Sequence, residues 1–326
     1  MHYETFTAGD GCELAFQTSL LLDWPDLDSD QERYATCILL LHGFSGSSWY
    51  FTRNFDALSQ KHWVVAPDMR GHGRSGHNSA RGGYHVARLA TDLRELLTHL
   101  RRRTDRASTR FIPVGCSIGA AILWTHIELF GESEFAGFVF VDQAPLQDRS
   151  IFGAWDETRA HRGCYDEKSL LAAQEGWVSR PEETHRALVA ECLGYRYHPL
   201  RTDGVSDEQA RQDEEFFTAV SAKCNGEWLA KLLADHTRYD HREAIEGITL
   251  PTLVMAGRRS GCFPLAGMAE IVERIRKGRG GTLDGKVEMS VFDSGHWLFY
   301  EEPERFNREV LAFVKRCAYA ATMRRQ

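Results

Sequence analysis

The stretch Pro113-Val114-Gly115-Cys116-Ser117-Ile118-Gly119 sets a thiol beside a hydroxyl, between an apolar run and a segment of helical character. Both are candidate nucleophiles. Gly115 and Gly119 flank the hydroxyl in a G-x-S-x-G pattern, where small residues let a strand turn sharply into a helix and lift the middle side chain clear of the sheet. That geometry puts Ser117 at the apex, facing the NH groups of the new helix, and turns Cys116 back into the sheet as a packed thiol. The pattern alone does not separate a nucleophile from a serine that caps the next helix, a place serine favours.

A hydroxyl nucleophile needs a base, an orienting acid and donors for an oxyanion. The segment VFDSGHWLFYEEPERF supplies His296, in a loop between a strand and the terminal helix and at the same C-terminal sheet edge as Ser117. The other histidines, His72 and His77 included, are expected to be packed or solvated. Oxyanion donors are expected from two backbone NH groups, that of Ile118 after the nucleophile and that of Phe44 in LLLHGFSGSSWYF. There Gly43 allows close approach of the backbone, and His42 is expected to brace the loop.

These residues must be held by a scaffold, and its elements are readable. Aliphatic runs at 36–43, 62–68, 111–117, 135–143, 252–257 and 287–293 are bounded by Gly, Pro or Asp and are apolar throughout, which predicts parallel strands buried on both faces. A hairpin turned at Gly9-Asp10-Gly11 precedes them. Apolar residues at helical spacing predict helices near 48–60, 85–101, 118–130, 265–277 and 303–319. The RRRTDR run at 101–106 is read as a solvated helix end. From 146 to 242 the strand signal disappears in favour of charged, Trp-punctuated helical segments. The expected architecture is therefore α/β: a mostly parallel central sheet flanked by helices, with a core at 1–145 and 243–326 and a helical cap at 146–242, inserted after the sixth strand.

Composition narrows the function classes. The 326 residues carry 39 Lys and Arg against 46 Asp and Glu, a net charge of −7, so no general positive field exists for nucleic acid or anionic lipid. A small-molecule substrate is the expected partner. No apolar segment is long enough to span a membrane, and MHYETFTAGDG lacks the basic start and apolar core of a signal peptide. The eight cysteines show no Cys-x-x-Cys pair, which suggests free thiols and a cytoplasmic setting. His236 and His241, five residues apart, do not share a helical face as a ligand pair would, so neither metal nor cofactor is expected.

LLLHGFSGSSWYF, VVAPDMRGHGRSG, GCSIG and DSGHWLFYEEPERFNREV, in that order and spacing, resemble the α/β-hydrolase superfamily over roughly residues 5–145 and 245–320. The resemblance implies an acyl-transfer hydrolase, because relatives that open epoxides or haloalkanes carry an aspartate at the apex. In most relatives the acid lies in a Gly-x-x-Asp-x-x-x-Pro segment, but here GRRSGCFP has Ser260 in the aspartate's place. Some relatives carry the acid after the strand that follows the nucleophile helix, and Asp142 occupies that position. Asp293, Asp148 and Asp156 remain competitors, with Asp293 expected to face away.

The expected activity is thus a serine carboxylesterase or lactone hydrolase working through an acyl-enzyme on a moderately large apolar molecule. A carbon-carbon hydrolase, a lyase or cyclase, and a ligand receptor are the alternatives in the same superfamily. Trp155, Trp177 and Trp297 are the candidate substrate contacts, with Phe152, Tyr195 and Trp228 as further aromatic candidates that core packing equally explains.

Overall fold

The computed structural model describes residues 2–20, 36–77, 82–104, 109–148, 165–281 and 286–323. Eight strands form one sheet: β1 (His2–Thr7), β2 (Glu13–Thr18), β3 (Thr36–Leu41), β4 (Trp63–Pro67), β5 (Arg110–Cys116), β6 (Phe138–Val141), β7 (Thr252–Gly257) and β8 (Val287–Phe292). Their spatial order is β1-β2-β4-β3-β5-β6-β7-β8. The hairpin β1–β2 and the β2–β4 pairing are antiparallel, and every pairing from β4 through β8 is parallel.

The apolar strands separate two cores. Cys37, Leu39 and Leu41 of β3, Phe138 and Phe140 of β6, and Val254 and Ala256 of β7 face one core. Ile38 and Leu40, Val139 and Val141, and Leu253 and Met255 face the other, as the two-residue period of a strand requires. Helices α1 (Phe55–Ser59), α2 (Val86–Thr104) and α3 (Ile118–Phe130) follow along the first half of the chain. Leu89, Leu93, Leu96 and Leu100 of α2 are buried, as their spacing predicts. The single helix expected at 48–60 is two pieces, a 3₁₀ turn Ser48–Phe51 and α1. Between them Asn54 Nδ2 donates to Phe299 O and Asn307 Oδ1, a tertiary tie that local periodicity does not reveal.

Between β6 and β7 the described chain holds helices only: α4 (Glu167–Ser179), α5 (Pro181–Cys192), α6 (Gly194–Tyr197), α7 (Asp207–Ser221), α8 (Gly226–Arg238) and α9 (Arg242–Glu246). Their starts follow capping chemistry. Asp166 and Ser169 form a capping box at α4, Pro181 opens α5, and Ser206 and Asn225 accept from Gln209 N and Trp228 N. Helices α10 (Leu265–Gly278), α11 (Leu298–Glu301) and α12 (Pro303–Met323) complete the chain.

Strand register sets up the site. Leu41 pairs with Gly115, Cys116 with Val141, Val141 with Met255, and Gly257 with Phe292. The residues that follow these strands therefore emerge along one edge of the sheet, the C-terminal edge where parallel α/β sheets bind ligands.

Candidate active site

Ser117 stands between β5 and α3 with φ 53° and ψ −125°. An L-residue holds such a backbone only when its surroundings impose it, at about 1–3 kcal/mol. Close packing imposes it here: a Cβ on Gly119 would lie 2.7 Å from Leu41 O, and one on Gly115 2.7 Å from Ala120 N. The serine makes no side-chain capping bond to the helix, so a capping role does not account for it. Its Oγ donates instead to Gln143 Oε1, a long bond of 3.4 Å. Cys116 is buried against the sheet, and burial pushes its thiol well above the ordinary range.

His296 and Asp142 meet across 154 residues of sequence: His296 Nδ1–H donates to Asp142 Oδ2 at 2.6 Å, and both side chains are buried. Asp142 also has a positive φ, 46°. Its Oδ1 accepts from Gly257 N at 2.9 Å, and its Oδ2 accepts a second bond from Ser260 Oγ at 2.7 Å. Ser260 Oγ in turn accepts from the NH groups of Cys262 and Phe263, both at 3.2 Å. Burial disfavours the His296 imidazolium, but the neighbouring Cys262 sulfur, the Asp142 bond and charge, and Glu191 outweigh it and raise the pKa to about 9.

The loop before His296 is pinned from the other side. Glu301 Oε1 accepts from Gly194 N at 3.0 Å and Gly295 N at 2.8 Å, while desolvation lifts the carboxyl to about 7. A Cβ on Gly257 would collide with the Gly295 carbonyl, so only glycine lets these two loops touch.

The loop after β3 reaches the same edge. A Cβ on Gly43 would lie 3.2 Å from the Ser117 Cβ, so the backbone bearing Phe44 runs directly beside the serine. Neither the Phe44 nor the Ile118 NH has a protein acceptor among the described residues. His42 is a brace: one ring nitrogen contacts Gly43 O at 2.8 Å, the other accepts from Met69 N at 2.9 Å, and burial holds its pKa down to about 4. His72 is likewise buried, next to Arg70 O.

Ser117, His296, Phe44, Trp177 and Trp297 share a cavity of about 630 Å³, bounded by the sheet edge on one side and by residues of α4, α5 and α8 on the other. Trp177 packs edge-on against Phe44 with ring centroids 5.2 Å apart, and Trp297 stacks on Phe217 at 3.7 Å. Trp155, Phe152 and Asp156 lie outside the described residues. Two aromatic candidates belong elsewhere: Trp228 is core, edge-on to His72, and Tyr195 bonds Asp213 away from the cavity. Asp293 faces outward beside Arg259, the Asp148 backbone bridges to that of Tyr165, and the Nδ1 bond of His296 goes to Asp142.

Sequence reasoning missed Gln143 as the partner of the Ser117 hydroxyl and Ser260 as a donor to Asp142. It also missed Glu191, Gln147 and His236, the polar groups of the cavity wall. Proximity in sequence to Asp142 was the only signal for Gln143, and Ser260 was marked only by standing in the acid's usual place; Glu191 and Gln147 carried none.

Residues 36–303 match the family described as alpha/beta hydrolase fold. A putative carbamate hydrolase of Rhizobium rhizogenes is 24% identical over 296 residues, covering 90% of this chain and 95% of that protein. Among solved structures, a bromoperoxidase of Bacillus anthracis superposes with a TM-score of 0.75 at 18% identity, over 96% of this chain and 100% of that one. An esterase of Exiguobacterium antarcticum gives a TM-score of 0.75 at 19% identity, over 95% and 98%. The match over residues 36–303, on a sheet whose edge gathers Ser117, Asp142 and His296, makes this chain a member of the α/β-hydrolase fold family.

Proposed function

We propose that the protein is a serine hydrolase that cleaves a carboxylic ester or lactone of a moderately large, mainly apolar molecule through an acyl-enzyme. The observation that carries this reading is the bond from His296 Nδ1 to Asp142 Oδ2, which leaves Nε2 as the basic nitrogen in the cavity that also holds Ser117. Ser117 Oγ exchanges its long bond to Gln143 for one to Nε2 once substrate is bound, as catalytic bonds commonly tighten in the complex. The hydroxyl attacks the carbonyl carbon as Nε2 takes its proton, and the NH groups of Phe44 and Ile118 receive the oxyanion. The imidazolium then protonates the leaving alkoxide. Water, deprotonated by the same nitrogen, releases the acid and restores Ser117.

Residues 146–242 act as a cap over this edge, with 1–145 and 243–326 as the catalytic core. Phe44, Trp177, Leu188 and Leu233 offer the substrate an apolar wall, and Trp297 lies next to the base. The test is a fluorophosphonate probe together with a panel of esters, lactones and carbamates. Labelling of Ser117, lost in Ser117→Ala, with ester or lactone turnover is the expected result. Absence of both labelling and turnover would identify a binding protein, and labelling with no hydrolysis of any panel member would point to a lyase or cyclase.

A further inference from the structure

We propose that Cys192, Cys262 and His296 form a binding site for a thiophilic divalent cation such as Zn²⁺, on the wall of the same cavity. Cys192 ends α5, Cys262 follows β7 and His296 follows β8, so three separate segments converge. The two sulfurs are 3.6 Å apart, and one ligand atom from each of the three residues lies within 4.8 Å of the others. A tetrahedral zinc ion with Zn–S bonds of about 2.3 Å holds two sulfurs about 3.8 Å apart, so the pair needs little movement.

The chemistry of the set agrees with its spacing. Thiolate and imidazole ligands select zinc and related soft or borderline ions over magnesium and calcium. Two thiolates neutralise a divalent charge, which suits a buried position. With Nδ1 committed to Asp142, His296 presents Nε2, and a carboxylate on the far nitrogen is the usual support of a metal-bound histidine. The fourth position is left to water or a ligand atom in the cavity. All three residues line that cavity, which provides the entry path.

Binding is a proton-metal exchange with no change of oxidation state: the ion forms two S–M bonds and one N–M bond, and two thiol protons, together with the Nε2 proton of His296 where the ring is charged, leave to solvent. Glu191, Asp142, Glu301 and His296 are the ionisable groups facing the two sulfurs. Affinity therefore climbs as pH rises. Resting on the hydrolase reading, the ion also occupies the lone pair that the base uses, so bound Zn²⁺ inhibits.

The test uses the full chain, reduced and freed of metal, titrated with Zn²⁺ and in parallel with Co²⁺. One ion per chain is expected, with thiolate-to-cobalt charge-transfer absorption. Cys192→Ser and Cys262→Ser are each expected to weaken binding about 100-fold, and Cys192→Ala and Cys262→Ala provide the same test should a serine variant fail to fold. Zn²⁺ affinity unchanged in folded variants, or cobalt binding without charge transfer, would overturn the proposal even if the protein hydrolyses esters. Charge transfer in a protein that neither labels at Ser117 nor turns over ester would uphold the metal site and overturn the hydrolase reading instead.

Discussion

Ser260 Oγ donates a 2.7 Å hydrogen bond to Asp142 Oδ2, the oxygen that also accepts from His296 Nδ1. Ser260 stands after β7, where relatives commonly carry the acid, and Asp142 follows the adjacent strand β6. Val141 pairs with Met255, so the two strand ends lie side by side and a carboxylate from either can approach the same imidazole. On the function proposed here, the Ser260 hydroxyl braces the carboxylate that serves as the acid.

Asp142→Asn is expected to lower kcat by about 10⁴-fold while the protein stays folded, because the amide no longer selects the productive tautomer. Asp293→Asn, at an exposed side chain beside Arg259, is expected to leave kcat within a few-fold. Adding Ser260→Asp to Asp142→Asn should recover part of the loss. Steady-state kinetics on one chromogenic ester decides all three, and near-normal turnover by Asp142→Asn would remove Asp142 from the mechanism.

Ser260→Ala deletes one of three hydrogen bonds to the Asp142 carboxylate. Loss of a bond to a charged group is worth about 1.5–3 kcal/mol, so a drop in kcat of roughly 10–100-fold with little change in KM is expected. A change confined to KM would show that Ser260 serves substrate binding instead.

The rate should rise on the alkaline side. His296 must be neutral to act as base, and its pKa is raised to about 9, so log kcat/KM is expected to climb with pH up to about 9 and then level. Asp142→Asn should shift that midpoint downward in its residual activity. A midpoint near the ordinary histidine value of about 6.5 in the parent would contradict the charge stabilisation described here.

Stability should fall on the acid side of neutrality. Burial depresses His42 and His236 to about 4 and His72 and His241 to about 3, from 6.5. Between the two values the unfolded chain binds protons that the native one refuses, at up to about 1.4 kcal/mol per pH unit for each group. His296 runs the other way: its raised pKa gives stability that is complete below 6.5 and lost as pH rises through 9. The melting temperature is therefore expected to peak near neutral pH and to fall as pH drops from 6.5 toward 4. A Tm that holds steady or rises over that acid interval would refute the burial of these four imidazoles in the neutral form.

Local rules carried much of the architecture and one end of the site. Alternating burial along β3, β6 and β7 follows from unbroken aliphatic runs, and the sharp turn at Ser117 follows from the glycines around it, because both depend on neighbours within a few residues. The four motifs in order identified the family, and the resemblance suggested Asp142 as the acid. Tertiary structure alone decided the rest, since it concerns side chains brought together across long stretches of chain. The Asp142 bonds to His296 and Ser260, the interruption of 48–60 at Asn54, the removal of Tyr195 and Trp228 from the cavity, and the meeting of Cys192 with Cys262 all depend on how separate elements pack. Sequence spacing constrains a residue's own helix or strand; contact between distant segments is set by strand register and loop packing, which no local pattern encodes.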